Sequence, residues 1–258
     1  MISKNQLRYF SSLKLKKNRD KESKILVEGL RLLEEIFDSH FKLEYLFYCP
    51  PSILSERTQT FLNRCYETNI SVEKIDRTAL NKLSDTIHSQ GFIGVAKIPQ
   101  YTVETAMSSF GHNLVALNNV KDPGNLGTII RTAGWFGLDG VMLSKTSVEF
   151  TNPKVIRASM GAIFHLPIYP DVDLSRQLNY FIKNEYRIFS ADVHAEKSIY
   201  DIDFGSRNVF IFGNETSGVD APLKALSTPV KIPRFGKAES LNVGISAGII
   251  LSEFKRRH

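Results

Sequence analysis

Short apolar runs alternate with amphipathic stretches along almost the whole chain. The apolar runs are each long enough for one strand and cover residues 43–48, 70–74, 92–98, 114–118, 140–143, 187–191, 209–212 and 230–232. Helical periodicity lies between them, near residues 28–38, 53–67, 78–84, 125–137, 153–161, 174–184, 220–227 and 241–256. This alternation predicts an α/β fold in which helices cover parallel sheets.

A break in the pattern around Pro99 divides the chain into two parts. We expect a smaller domain over residues 25–98 and a larger one over residues 112–258. A basic N-terminal arm over residues 1–24 precedes them. The polar segments that suggest a functional site all lie in the larger part.

The composition is that of a globular protein and excludes several classes. With 42% hydrophobic and 23% charged residues among 258, the chain is neither disordered nor fibrous. It has two cysteines and no apolar leader-like stretch near its start, so we expect a cytoplasmic protein. No run reaches the roughly 18 apolar residues of a membrane helix. The six histidines are scattered, so we expect no metal site.

The net charge of +6 is concentrated at one end of the chain. The first 24 residues hold eight basic and two acidic side chains, which accounts for the whole excess. Such an arm can bind RNA phosphates, and the candidate contacts are Lys14, Lys16, Lys17 and Arg19. The alternative is a solvated amphipathic helix whose apolar residues pack on the body of the protein.

The first polar segment, NNVKDPGNLGTIIRTAG over residues 118–134, leads from a strand into a helix. Asn125 is placed either to cap this helix or to hydrogen-bond a ligand. Arg131 lies off the buried stripe of the helix and is free to face a cleft. The alternative is an ordinary strand–turn–helix unit with a capping residue and a surface arginine.

The second polar segment, VFIFGNETSGV over residues 209–219, is an apolar strand that ends in Gly-Asn-Glu. Ligands of open α/β sheets bind beyond the carboxyl ends of strands, so Glu215 is well placed for a site carboxylate. Glycine at 213 and 218 permits a positive φ or close approach of the backbone to a ligand. A tight loop without function is the alternative.

The third polar segment, over residues 232–251, brings Ser240 and Asn242 to the start of the last helix. The free N–H groups there form a polar end that can hold a ligand, although a plain helix cap would look the same. Glycine motifs for dinucleotide or phosphate-loop binding are missing. Ser217 also lies in no nucleophile elbow.

In this order, the three segments resemble the motifs of the SpoU family of the SPOUT class, RNA 2′-O-ribose methyltransferases that use S-adenosylmethionine. The resemblance covers residues 112–258. More weakly, ILVEG and LLEE at residues 25–35 resemble the family's ribosomal-protein-L30-like substrate-binding domain. The resemblance to the SpoU family implies a C-terminal parallel-sheet SPOUT domain with a trefoil knot, a smaller N-terminal α/β domain, and a homodimer.

The resemblance also implies roles for particular residues. The expected catalytic residues are Asn125, Arg131, Glu215, Ser240 and Asn242. The residues expected to hold S-adenosylmethionine, mainly through backbone groups, are Phe212, Gly213, Asn214, Ile232 and Leu241.

Two questions about the reaction stay open at this point. Arg131 either takes part in proton removal together with a substrate phosphate or stabilises the developing alkoxide. The required 2′-hydroxyl makes RNA the expected substrate, with 23S ribosomal RNA favoured over tRNA. The alternatives are a non-catalytic RNA-binding or ribosome-assembly protein with the same fold, and an enzyme that methylates a small molecule.

Overall fold

The computed structural model describes residues 2–50, 55–68, 70–86, 89–101 and 112–258. The chain forms two compact units. The N-terminal unit comprises Met1–Gln100 with Thr151–Arg157, and the C-terminal unit comprises Tyr101–Phe150 with Ala158–His258. Within the described ranges no helix is long and apolar enough to span a membrane.

The N-terminal unit is built on a four-stranded mixed sheet. Its strands are β1 (Lys24–Glu28), β2 (Lys42–Tyr48), β3 (Ser71–Lys74) and β4 (Phe92–Lys97). Its helices are α1 (Lys4–Ser12), α2 (Lys16–Glu22), α3 (Leu30–Phe37), α4 (Glu56–Tyr66) and α5 (Arg77–Leu83). The strand order is β1-β4-β2-β3, in which β4 is antiparallel to β1 and β2 and β3 is parallel to β2.

The basic N-terminal segment folds into the first two helices. Ser3 and Gln6 form a capping box at the start of α1. Phe10 and Leu13 are buried, and the Phe10 ring lies 5.1 Å from that of Phe47 on β2. Phe10 and Leu13 therefore pack in the core of the N-terminal unit with Leu7 partly buried against it, as the amphipathic alternative predicted.

The C-terminal unit is built on a six-stranded parallel sheet. Its strands are β5 (Asn113–Leu117), β6 (Gly140–Ser144), β7 (Ile168–Val172), β8 (Arg187–Ala191), β9 (Asn208–Phe212) and β10 (Thr228–Val230). Its helices include α6 (Pro123–Trp135), α8 (Leu174–Lys183), α9 (Ala221–Lys224) and α10 (Val243–Arg256), and α7 (Pro153–Ala158) follows β6. The order β10-β8-β9-β5-β6-β7 confirms the α/β fold class with a smaller mixed α/β N-terminal part. The knot concerns chain path rather than strand pairing, and stays a prediction.

Edge strands account for most differences from the predicted elements. The apolar pattern missed β7, which contains Pro170 and has Asp171 at a φ of 55°. The pattern also predicted β10 two residues too late, at 230–232 instead of Thr228–Val230. Both strands lie at edges of the sheet, where proline and short irregular pairing are tolerated. The pattern missed β1 as well, because this short run directly follows charged residues.

The two central strands, β5 and β9, position the functional site. Their residues are almost fully buried, because helices cover both faces of a parallel sheet. They pair in parallel, with Leu117 opposite Phe212 at their carboxyl ends. The segments that follow these two strands therefore start side by side.

Candidate active site

The candidate site begins where β5 and β9 end. The backbone N–H of Asn118 donates to the Phe212 carbonyl over 2.9 Å, so the pairing continues one residue past β5. The Phe212 side chain is buried in the core, which leaves only its backbone for a ligand. This edge of a parallel sheet is where open α/β folds bind ligands.

The loop after β9 is closed so tightly that its first residue must be glycine. A Cβ at Gly213 would lie 2.1 Å from the carbonyl carbon of Gly218. Asn214 and Gly218 exchange backbone hydrogen bonds of 3.1 and 2.9 Å, and Gly218 has a φ of 69°. The turn leaves Glu215 exposed at its tip.

Three residues that sequence reasoning missed hold this loop in place. The Asp220 carboxylate accepts hydrogen bonds from the side chains of Asn118 and Asn119, at 2.9 and 3.0 Å. The Asp220 N–H donates to the Asn118 side chain, and Asn214 donates to the Asn119 carbonyl over 3.1 Å. The only signal in the sequence was the Asn-Asn pair at the end of a strand, whose neighbour in the sheet was unknown.

Asn125 lies in the first turn of α6 and is not the cap of that helix. The capping alternative is wrong, because the Asp122 side chain accepts from the Asn125 backbone N–H over 2.8 Å. The Asn125 side chain is not used in the cap, and it donates to Glu215 Oε1 over 2.7 Å. The first two polar segments therefore meet through a direct hydrogen bond.

Asn242 joins the third segment to the other two. It is the N-cap of α10, and its Oδ1 accepts from the backbone N–H groups of Gly244 and Ile245 at 2.9 and 3.3 Å. Its Nδ2 donates to Asn125 Oδ1 over 2.8 Å. The side chains thus form one directed chain of hydrogen bonds, from Asn242 through Asn125 to Glu215, which we call the amide relay.

Arg131 lies outside the amide relay, in a cleft of about 860 Å³ beside the packed helices α6 and α10. The cleft is lined by Thr128, Arg131, Thr132, Trp135, Phe136, Ala158, Tyr200, Gly248, Ile249, Ser252 and Glu253. The Arg131 side chain is exposed and makes no ion pair or hydrogen bond with any described residue. Ser240 is also exposed, and no described side chain contacts it through a hydrogen bond.

The buried carboxylate in this cleft does not neutralise Arg131. Glu253 accepts from Arg256 through both carboxylate oxygens, at 2.8 Å, and from Arg257 at 2.7 Å. The hydrogen bond from Arg256 is the largest cause that lowers the pKa of Glu253 to about 2. The positive charge of Arg131 therefore stays available to a ligand.

Comparison with known proteins identifies the family. Residues 112–252, more than half of the chain, match the SpoU rRNA methylase family. The chain belongs to this family. Residues 4–94 match the MRM3-like substrate-binding domain. The SpoU-family identification made from the three polar segments is therefore confirmed.

Relatives of this SpoU-family protein match it along most of its length. The 23S rRNA (guanosine(2553)-2′-O)-methyltransferase RlmP of Bacillus subtilis is 29% identical over 254 residues, which is 96% of each chain. The mitochondrial rRNA methyltransferase 3 of Xenopus laevis is 33% identical over 203 residues, 74% of this chain and 47% of that protein. An AdoMet-bound rRNA methyltransferase from Sinorhizobium meliloti superposes with a TM-score of 0.86 and 25% identity, over 100% of this chain and 97% of that one.

The loop over residues 231–242 of the SpoU-family protein has the chemistry of a backbone-mediated ligand site. From Ile232 to Leu241 no backbone N–H donates to a described residue. Ile232 is half-buried, and the Leu241 side chain is 47% exposed. Free polar backbone beside exposed apolar side chains fits a nucleoside-containing cofactor. Among the described residues, no group of metal-ligating side chains could hold a metal ion.

The basic candidates of the N-terminal unit differ in availability. Arg19 is 3% exposed and donates to the carbonyls of Leu13 and Lys14. A buried guanidinium cannot reach a phosphate, so the prediction of Arg19 as an RNA contact is wrong. Lys14 donates to the Ser84 carbonyl. The remaining candidates are Lys16, which is paired with Asp20 at 2.6 Å, and Lys17, which is exposed.

Proposed function

We propose that this protein transfers a methyl group from S-adenosylmethionine to a ribose 2′-hydroxyl of ribosomal RNA. 23S rRNA is the favoured substrate, and tRNA is the alternative. We assign methyl transfer to the C-terminal unit and RNA binding to the N-terminal unit. The observation that carries the proposal is the amide relay, which joins three separate segments, while Arg131 on the same helix as Asn125 is unneutralised. A protein that only binds RNA has no need of this arrangement.

S-adenosylmethionine supplies an activated methyl group on a positively charged sulfur. The residues that would hold it are Phe212, Gly213, Asn214, Ile232 and Leu241. Phe212 is buried, so it contributes backbone groups only. The AdoMet-bound rRNA methyltransferase from Sinorhizobium meliloti, which has the same fold, supports S-adenosylmethionine as the cofactor.

Because the methyl donor is already activated, the protein has two tasks. It must align the 2′-oxygen with the methyl carbon, and it must make loss of the hydroxyl proton easier. Alignment of reacting groups contributes up to about 7–11 kcal/mol in the best intramolecular systems. The amide relay serves this first task, because it fixes the loops around Asn125, Glu215 and Asn242 relative to one another.

Arg131 serves the second task. A guanidinium keeps its charge at any ordinary pH, so it is a poor acceptor for the hydroxyl proton. No described carboxylate pairs with Arg131, so its charge can hold an RNA phosphate and stabilise the alkoxide that develops at the 2′-oxygen. The proton then leaves to the neighbouring phosphate or to water. The exposed hydroxyl of Ser240 is free to bond the ribose or the cofactor.

The homodimer is part of the same proposal. Trp135 on α6 is 84% exposed and Ile245 on α10 is 55% exposed, which leaves large apolar surface on these helices. A Cβ at Gly248 would meet nothing within 4 Å, so a second backbone can approach there. The wild type should be a dimer in sedimentation velocity and Trp135→Glu a monomer. A dimeric variant would contradict this interface, and a monomeric wild type would contradict the dimer itself.

Ribose-methylation mapping tests the function. RNA from cells that lack the gene should lose one 2′-O-methyl mark, and a copy that carries Arg131→Ala should fail to restore it. Loss of one oriented charged group should slow transfer about 10²–10³-fold. Calorimetry should show that Arg131→Ala still binds S-adenosylmethionine. If no mark is lost and the wild type binds no cofactor, the non-catalytic RNA-binding alternative is correct.

A further inference from the structure

A row of three lysines crosses one end of the sheet in the N-terminal unit. Lys97, at the end of β4, pairs with Lys24 on β1 and with Lys42 on β2. Since β4 lies between β1 and β2, the three residues are neighbours in one line. Directly opposed residues of paired strands point to the same face of the sheet, so the three ammonium groups share one face.

Two of these three charges are not neutralised. Lys24 Nζ lies 2.7 Å from the carboxylate of Glu44. Lys42 and Lys97 are exposed, and no described carboxylate lies within 4 Å of either. Like charges that face each other across an antiparallel pair destabilise the sheet. The fold therefore keeps two repelling cations side by side on its surface.

We propose that Lys42 and Lys97 form a phosphate-binding row with which the N-terminal unit holds the backbone of the substrate RNA. The inference rests on the proposed function and adds the surface that carries it. Binding of RNA phosphates releases counterions and neutralises the repulsion between the two lysines. Lys42 and Lys97 are free to bind phosphate, whereas Lys14 and Lys16 bind groups of their own chain.

The test compares Lys42→Gln, Lys97→Gln and the double variant with a matched control, Lys74→Gln. Lys74 is an exposed lysine of the same sheet, but it pairs with Tyr48 at the opposite end of β2 from Lys42. The probe is in-vitro transcribed 23S rRNA, titrated with full-length protein at several salt concentrations. The control should bind as the wild type does.

Each row lysine should contribute one phosphate contact. The slope of log K against log salt is about 0.9 for each phosphate contact. Taken from 1 M to 0.15 M salt, one contact is therefore worth about a fivefold gain in affinity, and each single variant should bind about fivefold more weakly. The dependence of log K on log salt should flatten by about 1 for each lysine removed. Thermal unfolding without RNA should move the other way, with Tm about 1–3 °C higher in each single variant because the opposed charges are relieved.

A lysine that binds RNA at the expense of the sheet gives weaker RNA binding and a higher Tm when it is replaced, whereas a lysine that stabilises the sheet gives a lower Tm. Unchanged RNA affinity and salt dependence in the double variant, with a wild type that binds and methylates RNA, would overturn the row and leave the proposed function intact. A lower Tm in both single variants would also overturn it, because the lysines would then stabilise the sheet. A wild type that neither binds nor methylates the RNA would overturn the proposed function, and the row with it.

Discussion

Substitution of Asn242 by aspartate separates the two roles of this side chain. The Oδ1 atom caps α10, whereas the Nδ2 atom starts the amide relay by donating to Asn125. Aspartate keeps an oxygen for the cap and replaces the donor with a second oxygen. Asn125 can rotate its amide to donate to the new carboxylate, but its oxygen then faces Glu215 Oε1. One of the two relay bonds is lost in either orientation.

The expected magnitudes follow from these contacts. Asparagine and aspartate are nearly equal as N-caps, and a carboxylate at a helix N-terminus is favourable, so Asn242→Asp should leave the unfolding free energy almost unchanged. Asn242→Ala removes the cap and should cost about 1 kcal/mol, or about 2–4 °C in Tm. Both variants break the relay and should lower the rate of methyl transfer about 10²-fold, which corresponds to about 2.7 kcal/mol of barrier.

The assay pairs single-turnover methylation with thermal unfolding. Asp173→Ala is the matched control, because Asp173 caps α8 by accepting from the Arg176 N–H over 3.1 Å and contributes nothing to the relay. This control should lose about 1 kcal/mol of stability and keep its transfer rate. Wild-type transfer by Asn242→Asp, at unchanged stability, would refute a catalytic role for the relay. A large loss of stability in that variant would refute the separation of the two roles.

Most of the fold follows from the apolar pattern, because the central strands are buried on both faces. The runs at residues 114–118 and 209–212 are continuous and hydrophobic, and both became central strands of the parallel sheet. The pattern failed where burial is one-sided or interrupted. In β7, Pro170 and Asp171 are exposed and break the run, although Ile168 and Val172 are buried. An edge strand is buried along only part of its length, so it has no continuous apolar run that would mark it in the sequence.

The sequence named the three side chains that the structure joins, but not the contacts between them. The three polar segments named Asn125, Glu215 and Asn242, and the structure links these side chains directly. The clamp of Asn118 and Asp220 was missed, since it depends on which strands are neighbours in the sheet. That adjacency is a long-range property of the topology, which local periodicity does not contain.

The wrong prediction for Arg19 has a different physical cause. A run of charges predicts a solvated face, and seven of the eight basic residues in the first 24 follow that expectation in being at least partly exposed. Arg19 is buried because the carbonyls of Leu13 and Lys14 accept from its guanidinium. Burial of a charged group is tolerated only when its donors are satisfied, and sequence alone does not show where free carbonyls lie.

Two further predictions test the loop after β9 and the terminal helix. Gly213→Ala places a methyl group 2.1 Å from the Gly218 backbone and should weaken S-adenosylmethionine binding at least tenfold in calorimetry. Gly218→Ala is the control, because its methyl group meets no neighbouring atom. It should cost only about 1–2 kcal/mol of stability, because the residue has a positive φ. Wild-type affinity in Gly213→Ala would contradict a cofactor role for this loop. The hydrogen bond from Arg256, followed by that from Arg257, holds the pKa of Glu253 at about 2, below its ordinary 4.5. Because the folded-state pKa is the lower one, this carboxylate stabilises the fold above about pH 4.5, and the contribution disappears as the pH falls towards 2. Glu253→Gln should therefore unfold at a lower temperature at pH 7 and lose less stability than the wild type between pH 4.5 and 2. Parallel acid-induced losses in thermal unfolding of the two proteins would show that Glu253 does not carry this dependence.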